Sequence, residues 1–184
     1  MAYAVSDTIK LDKPILLGLD ASSASAVHEV GTVRTGTDGK EFTFVYMSSS
    51  DVQTYPGAPA VWVAGTTDYQ VTPDCSDTAA VLVGPTGGPA GAASGFAGLF
   101  TMANTDVNAC YLWIQTKGLA DGVFVSSGAV VNDDLIVTLE NCLDGAQFYV
   151  NSLVDVYARV VGVATTVATD GTDGIHSHAS VILY

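Results

Sequence analysis

The chain reads as an all-β domain, an antiparallel β-sandwich or jelly-roll-like barrel, preceded by an extended N-terminal arm. Three observations predict this. Short runs rich in Val, Ile, Tyr and Phe recur between clusters of Gly, Pro, Asp and Ser, at spacings of about 8–12 residues. An Asp38-Gly39 step between two alternating segments marks a hairpin. No stretch carries a helical period long enough to build a packed helix.

Met1 to Val27 reads as the arm and residues 28–184 as the β domain. Asp12-Lys13-Pro14 interrupts any helix, because proline lacks an amide donor and restricts the residue before it. Ile15-Leu16-Leu17-Gly18-Leu19 is a short apolar segment with no partner strand nearby, so it is expected to dock on its own domain or on a neighbouring copy. Asp20 to Ala26 is a tract of small residues that could form a short helix.

The β region opens with Glu29 to Thr35, the turn Gly36-Thr37-Asp38-Gly39, and the return strand Lys40 to Met47. Phe42, Phe44 and Tyr46 share one face of that strand and are expected to face the core. Ala60 to Ala64, Tyr69 to Thr72 and Ala79 to Val83 are further short strands. Gly84 to Gly95 reads as a loop, and Phe96 to Met102 re-enters the fold.

Cys110 to Gly118 is the central stretch, followed by Asp121-Gly122 and a second apolar run, Val123 to Val125. Cys110, Leu112 and Ile114 alternate with Tyr111, Trp113 and Gln115, so both faces are largely apolar. Such a strand belongs between two layers, or between one layer and another subunit. Leu135 to Leu139, Ala146 to Val150, Val156 to Thr166 and Ile175 to Tyr184 complete the series.

Composition narrows the function. Among 184 residues, 19 acidic against 6 basic side chains give a formal charge of −13, a field that opposes nucleic acid and anionic membrane surfaces. Hydrophobic residues make up 48% and charged ones 14%, with a mean hydropathy of +0.36, which suggests that some apolar surface is buried between subunits. The opening Met-Ala-Tyr-Ala-Val-Ser-Asp does not resemble a secretory signal, so synthesis in the cytosol is expected. The charge-free stretch Thr78 to Thr105 contains Pro85, Gly87, Gly88, Pro89 and Gly91, a poor composition for a membrane helix.

Chemistry-bearing groups are sparse. Cys75, Cys110 and Cys142 stand far apart, without the close pairs of zinc sites, and are expected to be free thiols. His176 and His178 would share one side of a strand, but no third ligand is evident, and no metal or cofactor is expected. Asp170-Gly-Thr-Asp-Gly lacks the remaining ligands of a calcium loop and reads as a turn. Asp133-Asp134 are adjacent and point apart, so they do not make an acid–base pair. With no nucleophile elbow or phosphate-binding loop, an enzyme is not expected.

Four segments, in order, resemble the small capsid decoration, or cement, proteins of tailed bacteriophages. Gly31-Thr32-Val33-Arg34 with Asp38-Gly39-Lys40-Glu41-Phe42-Thr43-Phe44-Val45 is similar to that family's opening hairpin. Tyr111-Leu112-Trp113-Ile114-Gln115-Thr116-Lys117-Gly118 is similar to its central strand. Val160-Val161-Gly162-Val163-Ala164 and Ala179-Ser180-Val181-Ile182-Leu183 resemble its late strands. The segment from Thr66 to Asn108 is longer than the family pattern.

The resemblance implies a structural virion protein on the outer surface of the capsid, a homotrimer whose partner is the major capsid protein. Ile15, Leu16, Leu17 and Leu19 of the arm would then contact the shell. The alternative is a glycan- or receptor-binding head-fibre module that uses Trp62, Tyr55 or Tyr69 as stacking platforms.

Overall fold

A computed structural model describes residues 10–48, 53–63, 68–73, 96–104, 108–125, 135–142, 145–150, 162–164, 169–170 and 177–183. The described residues are all-β, with no helix among them. In chain order the strands are β1 (Ser22–Ser23), β2 (Val33–Thr35), β3 (Glu41–Met47), β4 (Pro59–Trp62), β5 (Gln70–Thr72) and β6 (Phe96–Phe100). They continue as β7 (Cys110–Val125), β8 (Leu135–Cys142), β9 (Gly145–Val150), β10 (Gly162–Ala164), β11 (Thr169–Asp170) and β12 (Ser177–Leu183). The expected strand Ala79 to Val83, the loop Gly84 to Gly95, Asp133-Asp134, His176 and most of Val156 to Thr166 lie outside the described residues.

The hairpin forms where Asp38-Gly39 predicts it. Gly36 donates to the Lys40 carbonyl at 2.8 Å, Gly39 donates to Gly36 at 3.0 Å, and Gly39 takes a φ of 82°. The strands then pair as Val33 with Thr43, Arg34 with Phe42 and Thr35 with Glu41.

Strands β3, β5, β4, β6 and β7 close a five-membered ring, because β7 pairs with both β6 and β3. A closed ring with an odd number of strands cannot alternate direction throughout, so one pair must be parallel. That pair is β3 with β5, where Tyr46 meets Gln70 and Met47 meets Val71. The other four pairs of this ring are antiparallel, as expected of the fold, and parity of strand number accounts for the one exception. The pairings β7–β12–β10–β8–β9–β7 make a second ring of five, and its parallel pair is Val125 with Phe148.

Strand β7 belongs to both rings. Its first half, up to Lys117, pairs with β3, and its second half, from Gly118, pairs with β12. The 16-residue strand runs through Asp121-Gly122, where its pairing with β12 shifts register between Ala179 and Val181. The bend falls at Gly118, where β7 exchanges β3 for β12 and whose φ of 90° suits glycine. A Cβ there would lie 3.0 Å from the Lys40 Cα, so the hairpin end packs directly on this point. Gln115, buried beside the bend, donates from Nε2 to the carbonyls of Lys117 and Leu119, each at 3.1 Å.

Two clusters fill the first ring and its flank. Inside lie Val45, Met47, Ala60, Trp62, Val71, Phe100, Leu112 and Ile114. Outside, on the opposite face of β3 and β7, lie Phe42, Phe44 and Trp113, joined by Leu19. The aromatic face of β3 therefore is buried, but outside the ring, and the aliphatic face lines the interior. Side-chain size does not sort the two faces, since Trp62 and Phe100 lie inside the ring; alternation along β3 puts Val45 and Met47 on the inner face and Phe42 and Phe44 on the outer one.

Candidate functional site

The outer aromatic face is covered by the chain's own N-terminal segment. Its start is fastened to the hairpin: Asp12 donates its amide to the Thr35 carbonyl at 2.9 Å, and its Oδ1 accepts the Thr35 amide at 3.1 Å. From Ile15 to Leu19 the burial alternates, as an extended segment requires. Ile15 and Leu17 pack against the cluster and Leu19 is buried in it, while Leu16 is 78% exposed.

Polar contacts set this register. The Trp113 indole N–H donates to the Leu17 carbonyl at 3.1 Å. The Thr101 hydroxyl lies in hydrogen-bond reach of the Leu19 carbonyl and, at 2.7 Å, of the Trp113 carbonyl, so it ties the segment to β7. Ala21 donates to Gly18 at 3.2 Å and turns the chain into β1, where Ser22 pairs with Leu112 and Ser23 with Tyr111. The tract Asp20 to Ala26 is thus a turn and a short strand, not a helix. β1 sits on the β7 edge beyond the last β6 pair, at Phe100 and Ile114, and this open edge competes successfully for the tract.

The return path brings His28 over the same face. Its ring centroid lies 5.3 Å from that of Phe44, edge-on at 79°, and 5.3 Å from that of Trp113, tilted by 58°. The Leu16 amide donates to His28 Nε2 at 3.0 Å. Phe44 stacks on Tyr111 at 6.1 Å, and Tyr111 meets Tyr46 at 5.1 Å, so an aromatic row runs under the cover.

Of the four arm residues predicted to meet a partner, three are thus spent on the domain and one projects. Leu16 is that one. The other exposed large aliphatic side chains among the described residues are Val33, Leu119 and Ile182, with Leu119 and Ile182 directly opposite each other on β7 and β12. At the hairpin lie Arg34 and Lys40, with Lys10, whose carbonyl accepts the Thr37 amide, and Lys117, which meets Glu41. Lys40 pairs with Asp38 at 3.4 Å and Lys117 with Glu41 at 3.5 Å.

The aromatic platform expected for glycan stacking is not available at its largest member. Trp62 is 7% exposed within the ring interior, with Tyr69 edge-on at 6.0 Å. Tyr55 and Tyr69 are partly buried against the same cluster, and the Tyr55 hydroxyl donates to Gln53 Oε1 at 2.5 Å. Cys110 is a free, buried thiol, and burial pushes its pKa up, against the opposing pull of hydrogen bonds from Ser22 and Asn104. His178 pairs in register with Phe124 on β7. Among the described residues no three His, Cys, Asp or Glu side chains gather as a metal site would need, and no helix is long and apolar enough to cross a membrane.

His28, Thr101 and Asp12 escaped the sequence reading. Each acts through a hydrogen bond to backbone far along the chain, which leaves no local pattern. Comparison with protein-family models, with curated proteins and with solved structures finds no match to this chain.

Proposed function

We propose that this chain is a capsid decoration protein, which binds the outside of an assembled icosahedral phage head as a trimer and clamps neighbouring capsid subunits. The order of the four family-like segments supports the reading. The observation that carries it is Leu16, 78% exposed on a segment whose neighbours are tied into the domain. A large apolar side chain held out on an anchored strap is suited to a partner's pocket.

The mechanism is mass action. A ligand that binds only the assembled lattice stabilises it by the free energy of binding. Three straps on one trimer act together, so contacts that are individually weak add to a durable clamp. Lys10 and Lys13 precede Leu16 on the strap and give it a basic approach, while the acidic remainder of the chain keeps decorated particles apart. The reading assigns no catalysis and no cofactor.

The test is co-sedimentation with expanded heads that lack their decoration. Wild-type protein is expected to pellet with the heads, and Leu16→Asp to stay in the supernatant while its thermal unfolding matches wild type. Equal pelleting of the two proteins would remove Leu16 from the contact. Light scattering on a sizing column checks the trimer, and a concentration-independent monomer would count against a preformed one.

A further inference from the structure

We propose that His28 is a pH-operated latch on the strap: its unprotonated ring nitrogen holds the Leu16 amide, and protonation frees the Leu16 bend while the ring stays seated on Phe44 and Trp113. The argument begins with the donor. A backbone N–H can only donate, so the ring nitrogen 3.0 Å from the Leu16 amide must present a lone pair, whichever of the two nitrogens it is. Imidazolium carries a hydrogen on both nitrogens and has no acceptor. The bond and the charged ring therefore exclude each other.

The surroundings decide what moves. Phe44 and Trp113 are fully buried beneath the ring, and neither titrates. The ring is packed 5.3 Å from both Phe44 and Trp113, contacts that need no lone pair on nitrogen, so losing the acceptor does not by itself unseat the imidazole. From β3 and β7 the further titratable groups on this face are Tyr46 and Tyr111, and from the strap Lys13 and Asp20, both exposed; Glu29, next in sequence to His28, is exposed too. No carboxylate among the described residues forms an ion pair with His28 to hold the charged ring in another pose. The amide, rather than the ring, gives way.

Release stays local. The strap's other ties include the Asp12 amide on the Thr35 carbonyl, the Trp113 indole on Leu17 and the Thr101 hydroxyl on Leu19, and none of these bonds is made by a titratable carboxylate, imidazole or amine. Only the bend between Asp12 and Leu17 is left free to change posture, and Leu16 is its exposed side chain. Histidine is the side chain suited to this, since its charge ordinarily changes between about pH 5 and pH 8. The functional consequence, a shell contact that is firm at neutral pH and loosened by acid, rests on the reading of Leu16 given above.

The test uses the full chain and no shell, so it stands or falls apart from that reading. Amide and indole resonances are followed by 1H–15N NMR from about pH 7.5 to about pH 5. The Leu16 amide is expected to shift with the same midpoint as the His28 ring protons, and its exchange protection to fall roughly fivefold, the factor of about one net hydrogen bond. The Trp113 indole N–H, bonded to the Leu17 carbonyl, is expected to keep its exchange protection throughout. His28→Phe, which keeps an aromatic lid without an acceptor, should hold the Leu16 amide at the released protection at every pH, with wild-type protection of the Trp113 indole N–H reporting an intact cover. A Leu16 amide that ignores the His28 titration, or that shifts equally in His28→Phe, overturns the latch. So does a loss of Trp113 indole N–H protection in step with Leu16, because that would be opening of the whole cover.

Discussion

On its inner side the β3–β7 pair meets Val45, Met47, Phe100, Leu112 and Ile114, enclosed by strands whose backbones are paired around a ring. On its outer side the same two strands present Phe42, Phe44 and Trp113 to a strap that contributes Leu19 and is fixed mainly by single hydrogen bonds. Both sides are dry. They differ in what must break to open them: the inner side opens only by tearing a ladder, the outer side by lifting one irregular segment. A region of few backbone bonds and concentrated side-chain anchors is where local opening is cheapest. The strap can therefore be part of the core and still be the part that opens most readily.

The largest effect should come from Trp113→Ala, which removes the side chain on which the whole cover rests. Its cost is expected at about 3–5 kcal/mol in denaturant unfolding, comparable with Phe100→Ala on the inner side. A loss below about 1 kcal/mol would mean that the strap leaves the outer face wet. For the same reason, removing residues 2–27 is expected to destabilise the β domain, since it strips Leu19 from Phe42, Phe44 and Trp113.

A second measurement separates the strap's two roles. Leu19→Ala should cost about 2–5 kcal/mol, as a buried leucine does. Leu16→Ala, three residues away on the opposite side of the alternation and exposed, should fall within about 0.5 kcal/mol of wild type. Equal costs at the two positions would erase the distinction between anchor and displayed contact.

The smallest effect concerns Cys110, at the inner edge of the pair. Burial raises its folded-state pKa, so the folded protein resists forming the thiolate that the unfolded chain forms readily. The contribution to stability is present below the ordinary thiol range and declines as pH rises through it toward the raised folded value. Cys110→Ala should flatten that alkaline decline, and the matching check is slow labelling of Cys110 by a thiol reagent in native protein, accelerated by denaturant. Rapid native labelling would show that the inner edge opens as easily as the outer face.

Some of this was legible in the residues. Asp38-Gly39 between alternating strands specifies the hairpin, because few other dipeptides accept its backbone angles. Alternation along Cys110 to Gln115 specifies that both faces of β7 are buried, since each face carries large apolar groups. The run Ile15 to Leu19 announces a docking segment, but its destination was open between its own domain and a neighbour. These are local properties, set by steric and transfer free energies that act within a few residues.

What only the tertiary structure decided is relational. Strand number round a ring fixes the parity that makes β3 and β5 parallel, and no property of either strand alone contains it. Ring closure decides that Val45 and Met47 go inside while Phe42 and Phe44 go out, and that Trp62 lines an interior. The β12 ladder carries β7 through Asp121-Gly122 with a register shift, and the exchange of β3 for β12 as partner puts the bend at Gly118. His28 finds Leu16, and Thr101 finds Leu19, across separations in the chain that no short-range pattern records. Sequence by itself determined which segments must be buried and where the backbone must turn; which surface buries them, and which leucine of the strap is left showing, depends on contacts between distant residues that exist only once the rings have closed.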